Sequence, residues 1–350
     1  MTARTTPKIT LWEFFQQLGK TFMLPVALLS FCGIMLGIGS SLSSHDVLTL
    51  IPALGNPVLQ AIFTWMSKVG SFAFSFLPVM FCIAIPLGLA RENKGVAAFA
   101  GFVGYAVMNL AVNFWLTAKG ILPTTDAAIL KANNVQNILG IQSIDTGILG
   151  AVIAGIIVWM LHERFHNIRL PDALAFFSGK RAVAIFTAIY SIVAALVLFV
   201  VWPLVYGGLV ALGEAFIGMG AVGAGIYAFF NRLLIPFGLH HALNSVFWFD
   251  VAGISDLSNF WGNTGVYGQT GMYMTGFFPF MMFGLPAACI AMYQTAKPAK
   301  KKMVYGLLAS AAFCSFFTGV TEPIEFSFMF LAPGLYVVHA LLAGITAGIT

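Results

Sequence analysis

Ala182-Val-Ala-Ile-Phe-Thr-Ala-Ile-Tyr-Ser-Ile-Val-Ala-Ala-Leu-Val-Leu-Phe-Val-Val-Trp-Pro-Leu-Val205 contains no charged side chain. It is longer than the roughly 20 apolar residues an α-helix needs to cross the hydrocarbon core of a bilayer. Comparable runs occupy 22–39, 70–90, 95–117, 145–161, 273–293, 303–320 and 327–350. Across the chain 59% of residues are hydrophobic and 8% charged, with a mean hydropathy of +0.92. Soluble domains carry about 25% charged residues, so water is not the main solvent here. The fold expected is an all-α polytopic membrane protein, with about 8–10 transmembrane helices plus re-entrant or discontinuous segments.

The formal net charge of +5 does not point to nucleic acid, because Lys and Arg fall in the gaps between apolar runs and form no basic stripe. Arg4, Lys8 and Lys20 precede the first run. Arg91 and Lys94 fill one later gap, Arg164, Arg169, Lys180 and Arg181 another, and Lys297, Lys300, Lys301 and Lys302 a third. Alternate gaps hold only Lys68, or Lys119 and Lys131. The positive-inside rule then gives one consistent topology with the amino terminus cytoplasmic. The first run imitates a signal peptide but is too long, so it reads as a retained first span. Leu11, Phe14, Phe15 and Leu18 lie at helical spacing and suit either an interfacial helix or the ordinary start of that span.

Cys32, Cys82, Cys289 and Cys314 lie inside apolar segments without C-x-x-C spacing and read as small buried hydrophobes. No metal site or cofactor is expected. Gly218-Met-Gly-Ala-Val-Gly223 matches G-x-G-x-x-G without the strand a dinucleotide site requires. Gly33-Ile-Met-Leu-Gly37 fits the small-residue packing pattern of membrane helices.

Residues 206–272 are only partly span-like and are interrupted by Gly and Pro. Irregular backbone is tolerated at membrane depth only inside protein or beside a wet cavity, so broken segments point to a binding site. The ionisable residues in apolar context are Arg232, Glu322 and Glu325, with His240, His241 and His339 beside them, and such groups are functional candidates by default. Pro236 and Gly238 are expected to break a helix between Arg232 and the histidine pair, and Gly319 and Pro323 to break another around Glu322. The functional reading is a sugar site in which a carboxylate accepts from hydroxyls, Arg and His donate, and aromatic faces pack on the ring. The structural reading is an ion pair from Arg232 to Glu322 or Glu325. His339, with no polar neighbour in sequence, is left out of the site.

Asn231-Arg-Leu-Leu-Ile-Pro-Phe-Gly-Leu-His-His241 and Thr318-Gly-Val-Thr-Glu-Pro-Ile-Glu-Phe326 resemble the two signature stretches of the phosphotransferase-system IIC family for glucose, N-acetylglucosamine and maltose. Segments 170–181, 276–286 and 331–341 resemble family segments too. The amino-terminal third resembles the maltose and glucose branch, whereas Ala242-Leu-Asn-Ser-Val-Phe-Trp-Phe249 resembles the N-acetylglucosamine branch.

The resemblance implies an inner-membrane, multi-pass homodimer with elevator-like alternating access, which translocates a glucopyranoside while a phosphorylated IIB partner, served by IIA, phosphorylates it. The chain would be part of a phosphohistidine-sugar phosphotransferase complex, without a phosphoryl carrier of its own. Carried over by motif, Arg232, His240, Thr321 and Glu322 contact the sugar, Glu322 or His240 accepts the hydroxyl proton, and Asn231, His241 and Glu325 are secondary candidates. The expected partners are the sugar, IIB, a second copy of the chain and membrane lipid. Residues 1–350 are read as one IIC domain cut short at its carboxyl end and lacking IIB: a cytoplasmic or interfacial segment 1–21, scaffold and dimerisation helices 22–181, and a sugar-binding part 182–350. The rival readings are an N-acetylglucosamine permease of the same system and an ion-coupled secondary sugar transporter with Glu322 and Glu325 at a broken helix.

Overall fold

The computed structural model describes residues 11–237, 240–248, 256, 259, 265–329 and 331–350. Its helices are α1 (Leu11–Leu42), α2 (His45–Leu50), α3 (Pro57–Ser75), α4 (Leu77–Leu89), α5 (Lys94–Ala118), α6 (Ala127–Ala132), α7 (Gly147–Phe165), α8 (Lys180–Ile217), α9 (Ala221–Leu233), α10 (His240–Phe247), α11 (Met272–Thr295), α12 (Lys301–Thr318), α13 (Glu322–Phe328) and α14 (Pro333–Ile349). Each apolar run lies largely within a helix, or within adjoining helices, among the described residues. Among the described residues α5, α7, α8 and α11 are long and apolar enough to cross a bilayer singly, and α3 with α4 is apolar enough as a pair but bent by 46°, as in a broken span or a re-entrant loop. Residues 11–18 continue into the first span without a break, so they are the ordinary start of α1.

One element was not foreseen. Val135–Ile138 and Ile141–Ile144 form an antiparallel hairpin, β1 and β2, with Val135 opposite Ile144. Leu139 and Gly140 turn it at positive φ, of 55° and 82°, the conformation that tight hairpin turns require. Asn113 Nδ2 donates to the Gln142 carbonyl, and Gln142 Nε2 to that of Thr124, which anchors the hairpin on the end of α5.

Two larger buried clusters organise the bundle. One includes Phe22, Phe81, Cys82, Ile85, Tyr105 and Met108 from α1, α4 and α5. The other includes Tyr227, Phe247, Tyr273, Phe277, Leu285 and Ile324 from α9, α10, α11 and α13. Where helices approach backbone to backbone the contact is made by glycine. A Cβ on Gly70 would stand 2.2 Å from the Leu36 amide nitrogen, and one on Gly39 2.5 Å from the Phe63 carbonyl oxygen. Gly33 and Gly37, the pair that fits the packing pattern, make no such approach among the described residues, where a Cβ on Gly37 would meet nothing within 4 Å. A second seam joins α9 to α14, where a Cβ on Gly225 would lie 2.9 Å from the Gly344 carbonyl oxygen and one on Gly344 2.9 Å from that of Gly225. The glycines at 218–223 form the joint between α8 and α9. Gly220 has φ of 54°, and Gly223 sits against the Phe216 carbonyl.

Three basic or near-terminal segments share one end of the bundle. The Arg91 N–H donates to Glu163 Oε1 at 3.1 Å, His162 Nε2 lies 2.8 Å from the Glu92 carbonyl oxygen, and the Phe14 and Trp159 rings lie 5.6 Å apart. The start of α1, the α4–α5 turn and the end of α7 therefore face the same side.

Candidate functional site

Both expected helix breaks are present, and they aim polar groups at one place. Helix α9 ends at Leu233 in a short 3-10 turn over Ile235–Phe237, after which α10 begins at His240. Pro236 lies within that turn, where its missing N–H costs the least, while Gly238 lies outside the described residues. Helix α12 stops at Thr318 because Gly319 adopts φ of 71°, and α13 then starts with Glu322 and Pro323 in its first turn. Proline fits that position because the first amide groups of a helix have no intrahelical acceptor. Glu322 and Glu325 both fall in this first turn, where carboxylates are favoured by the helix dipole.

The breaks bring Arg232, His240, Thr321, Glu322 and Glu325 together. Arg232 Nη1 donates to Thr321 Oγ1 at 2.7 Å and to Glu325 Oε1 at 2.9 Å, and Nη2 donates to Asn231 Oδ1 at 2.9 Å. Thr321 Oγ1 in turn donates to Glu325 Oε2 at 3.0 Å. His240 Nε2 lies 3.3 Å from Glu322 Oε1. The guanidinium also lies beside two neighbouring rings of α11, with Cζ 4.9 Å from the Phe277 centroid and 5.0 Å from that of Phe280. Such faces favour a desolvated cation. A π-helical stretch at Phe280–Gly284 interrupts α11 beside them, a feature frequent at functional sites.

The two carboxylates of the Glu322-Pro-Ile-Glu325 turn are chemically distinct. Glu325 is wholly buried, and both of its oxygens are engaged by Arg232, Thr321 and His339. That matches what a buried charge needs to be tolerated, a partner and satisfied lone pairs. Glu322 retains 8% exposure and faces His240. Arg232 Nε is buried without a hydrogen-bond partner among the described residues, which leaves one donor of the fork available to a ligand.

His339, left out on sequence, lies 2.9 Å from Glu325 Oε1 through Nε2. Its partner is on another helix, so no local spacing signalled it. Sequence reasoning also missed Tyr336, which donates to the Arg232 carbonyl, and Asn244. Asn244 Oδ1 accepts from Tyr227 and from Asn231, and so extends the network into α10. The His241 side chain lies outside the described residues.

A sequence profile of the family described as phosphotransferase system, EIIC, matches residues 19–344. The chain belongs to this family. It is 62% identical, over 99% of its length, to the maltose-specific EIICB component of the phosphotransferase system of Escherichia coli (strain K12). It is 40% identical over 95% to the N-acetylglucosamine-specific EIICB component of Bacillus subtilis (strain 168), and 38% identical over 95% to the glucose-specific EIICBA component of Staphylococcus saprophyticus. The chain spans 68%, 65% and 50% of these relatives, respectively. As an EIIC chain it is a multi-pass membrane protein of the phosphotransferase system, which agrees with its helices and apolar composition.

Proposed function

We propose that this chain binds a glucopyranoside, with maltose or glucose as the substrate, carries it across the inner membrane and presents its 6-hydroxyl to a phosphorylated IIB partner. The observation that carries this reading is the convergence of Arg232, His240, Thr321 and Glu322 from two broken helices inside an apolar bundle. A structural ion pair needs only two charges, and Arg232 with Glu325 already supplies it. Glu322 is then a second carboxylate whose charge the pair does not need, placed to accept hydrogen bonds from adjacent hydroxyls. The 62% identity to a maltose-specific component favours maltose among the three sugars.

The work of the site is positioning. Glu322 and Arg232 fix the sugar, Phe277 and Phe280 back the Arg232 guanidinium, and Glu322 or His240 takes the proton as the hydroxyl attacks the partner's phosphoryl group. The engagement of Glu325 by three protein donors supports a structural role for it, and weighs against a pair of carboxylates vacant for a coupling ion. The orientation with loops 91–94, 162–181 and 297–302 cytoplasmic, the homodimer, and the division into scaffold 22–181 and sugar-binding part 182–350 belong to the same proposal.

The deciding experiment is a binding titration of the purified chain with maltose, glucose and N-acetylglucosamine. Maltose binding tightest supports the reading. A preference for N-acetylglucosamine reassigns the substrate, and uptake that collapses with the proton gradient yet survives loss of phosphoenolpyruvate favours an ion-coupled transporter.

A further inference from the structure

Helix α14 makes two contacts with the site that sugar binding itself does not call for. Tyr336 donates its hydroxyl to the main-chain carbonyl of Arg232, and His339 Nε2 meets Glu325 Oε1 at 2.9 Å. The two side chains are three residues apart on a helix and so lie on one face. The Arg232 carbonyl belongs to the last turn of α9, where the regular i+4 acceptor pattern ends, and it is met there by the Leu234 N–H as well as by Tyr336. Tyr336 thus fixes the backbone that carries the arginine, and His339 fixes the carboxylate that its guanidinium meets. The imidazole is itself held edge-on by Phe280 and Phe328, at ring separations of 6.4 and 5.8 Å, with the Tyr336 ring 5.8 Å away.

We propose that Tyr336 and His339 are positioning residues that aim the Arg232 guanidinium into the sugar site by holding the Arg232–Glu325 pair at both ends, without touching the sugar. The inference rests on Arg232 being a sugar contact. Nη1 is committed to Thr321 and Glu325, and Nη2 has Asn231. The direction of Nε, which has no hydrogen-bond partner among the described residues, therefore follows from where Glu325 and the Arg232 backbone are held. Loss of either tether lets the fork turn against the Phe277 and Phe280 rings and spoils the alignment of the Nε donor.

The test is a maltose titration of the purified chain and four variants. Tyr336→Phe and His339→Leu should each weaken binding about tenfold, the effect of a hydrogen bond to a charged or fixed group. His339→Gln keeps an N–H donor and should stay within about threefold of the parent. In an Arg232→Lys background, which has no fork to aim, His339→Leu should weaken binding no further. The positioning role is overturned if His339→Leu binds like the parent, if Gln is as damaging as Leu, or if the Leu effect persists undiminished beside Arg232→Lys. Tyr336→Phe removes a single hydroxyl and carries the test should His339→Leu not fold: parental affinity in that variant also overturns the role. A parent chain that binds none of the three sugars overturns the proposed function instead, and this inference with it.

Discussion

Arg232 Nη1 lies 2.9 Å from Glu325 Oε1, across 93 residues of sequence, while Glu322, three residues nearer in the chain, faces His240 instead. The two carboxylates of one short turn therefore divide the labour of the site, one neutralising the buried arginine and the other facing the remaining polar groups.

That division predicts opposite signatures for two isosteric substitutions. Glu322→Gln should weaken sugar binding by at least about 1.5 kcal/mol, the low end for a hydrogen bond to a charged group, in a chain that folds normally. Glu325→Gln should show its main effect in thermal unfolding, because stripping one partner from a buried pair costs about 3–5 kcal/mol. Replacing both members, as Arg232→Met with Glu325→Leu, should recover part of that stability while abolishing binding. Unchanged affinity in Glu322→Gln would reduce Glu322 to a structural residue.

A second prediction concerns catalysis. The chain should bind sugar and yet form no sugar 6-phosphate when mixed with the general phosphotransferase proteins, until a phosphorylated IIB partner is added. Cys32, Cys82 and Cys289 are buried, which makes them poor acceptors of a phosphoryl group, and His240 already contacts Glu322. Product formed without IIB would show a phosphoryl carrier within this chain.

Topology can be checked directly. Single cysteines introduced into 91–94, 162–181 and 297–302 should resist a membrane-impermeant thiol reagent in intact cells and react once the membrane is opened. Labelling from outside at these loops would reverse the orientation.

The glycine contacts give a contrast within one helix pair. Gly70→Ala puts a methyl group 2.2 Å from the Leu36 amide nitrogen and should lower the unfolding temperature, at a cost of about 1–3 kcal/mol, as overpacking does. Gly37→Ala meets nothing within 4 Å and should be neutral or slightly stabilising, since alanine favours helix over glycine. Equal effects at the two positions would contradict the packing of α1 on α3.

Much of this was legible in the sequence because bilayer crossing imposes a length and a composition that any window of residues reveals. The breaks at Pro236 and Gly319 were legible for a related reason: proline and glycine act on the backbone locally, whatever the tertiary context. The β1–β2 hairpin was hidden because its strands are short and its turn uses Leu139 at positive φ, where asparagine or glycine would have signalled it. His339 was hidden for a different reason, since its role depends on Glu325 approaching from another helix. Which carboxylate meets Arg232 was equally closed to sequence, because Glu322 and Glu325 differ only in how far α13 has turned by each of them.

The contact of Gly225 with Gly344 has a mechanical consequence. Main chain rests on main chain there, so a side chain on either glycine would push α9, which bears Arg232, away from α14, which bears His339. Glu325 contacts a side chain of each, Arg232 on α9 and His339 on α14. On the function proposed above, the polar cluster is expected to travel as one preassembled unit in whatever motion carries the sugar.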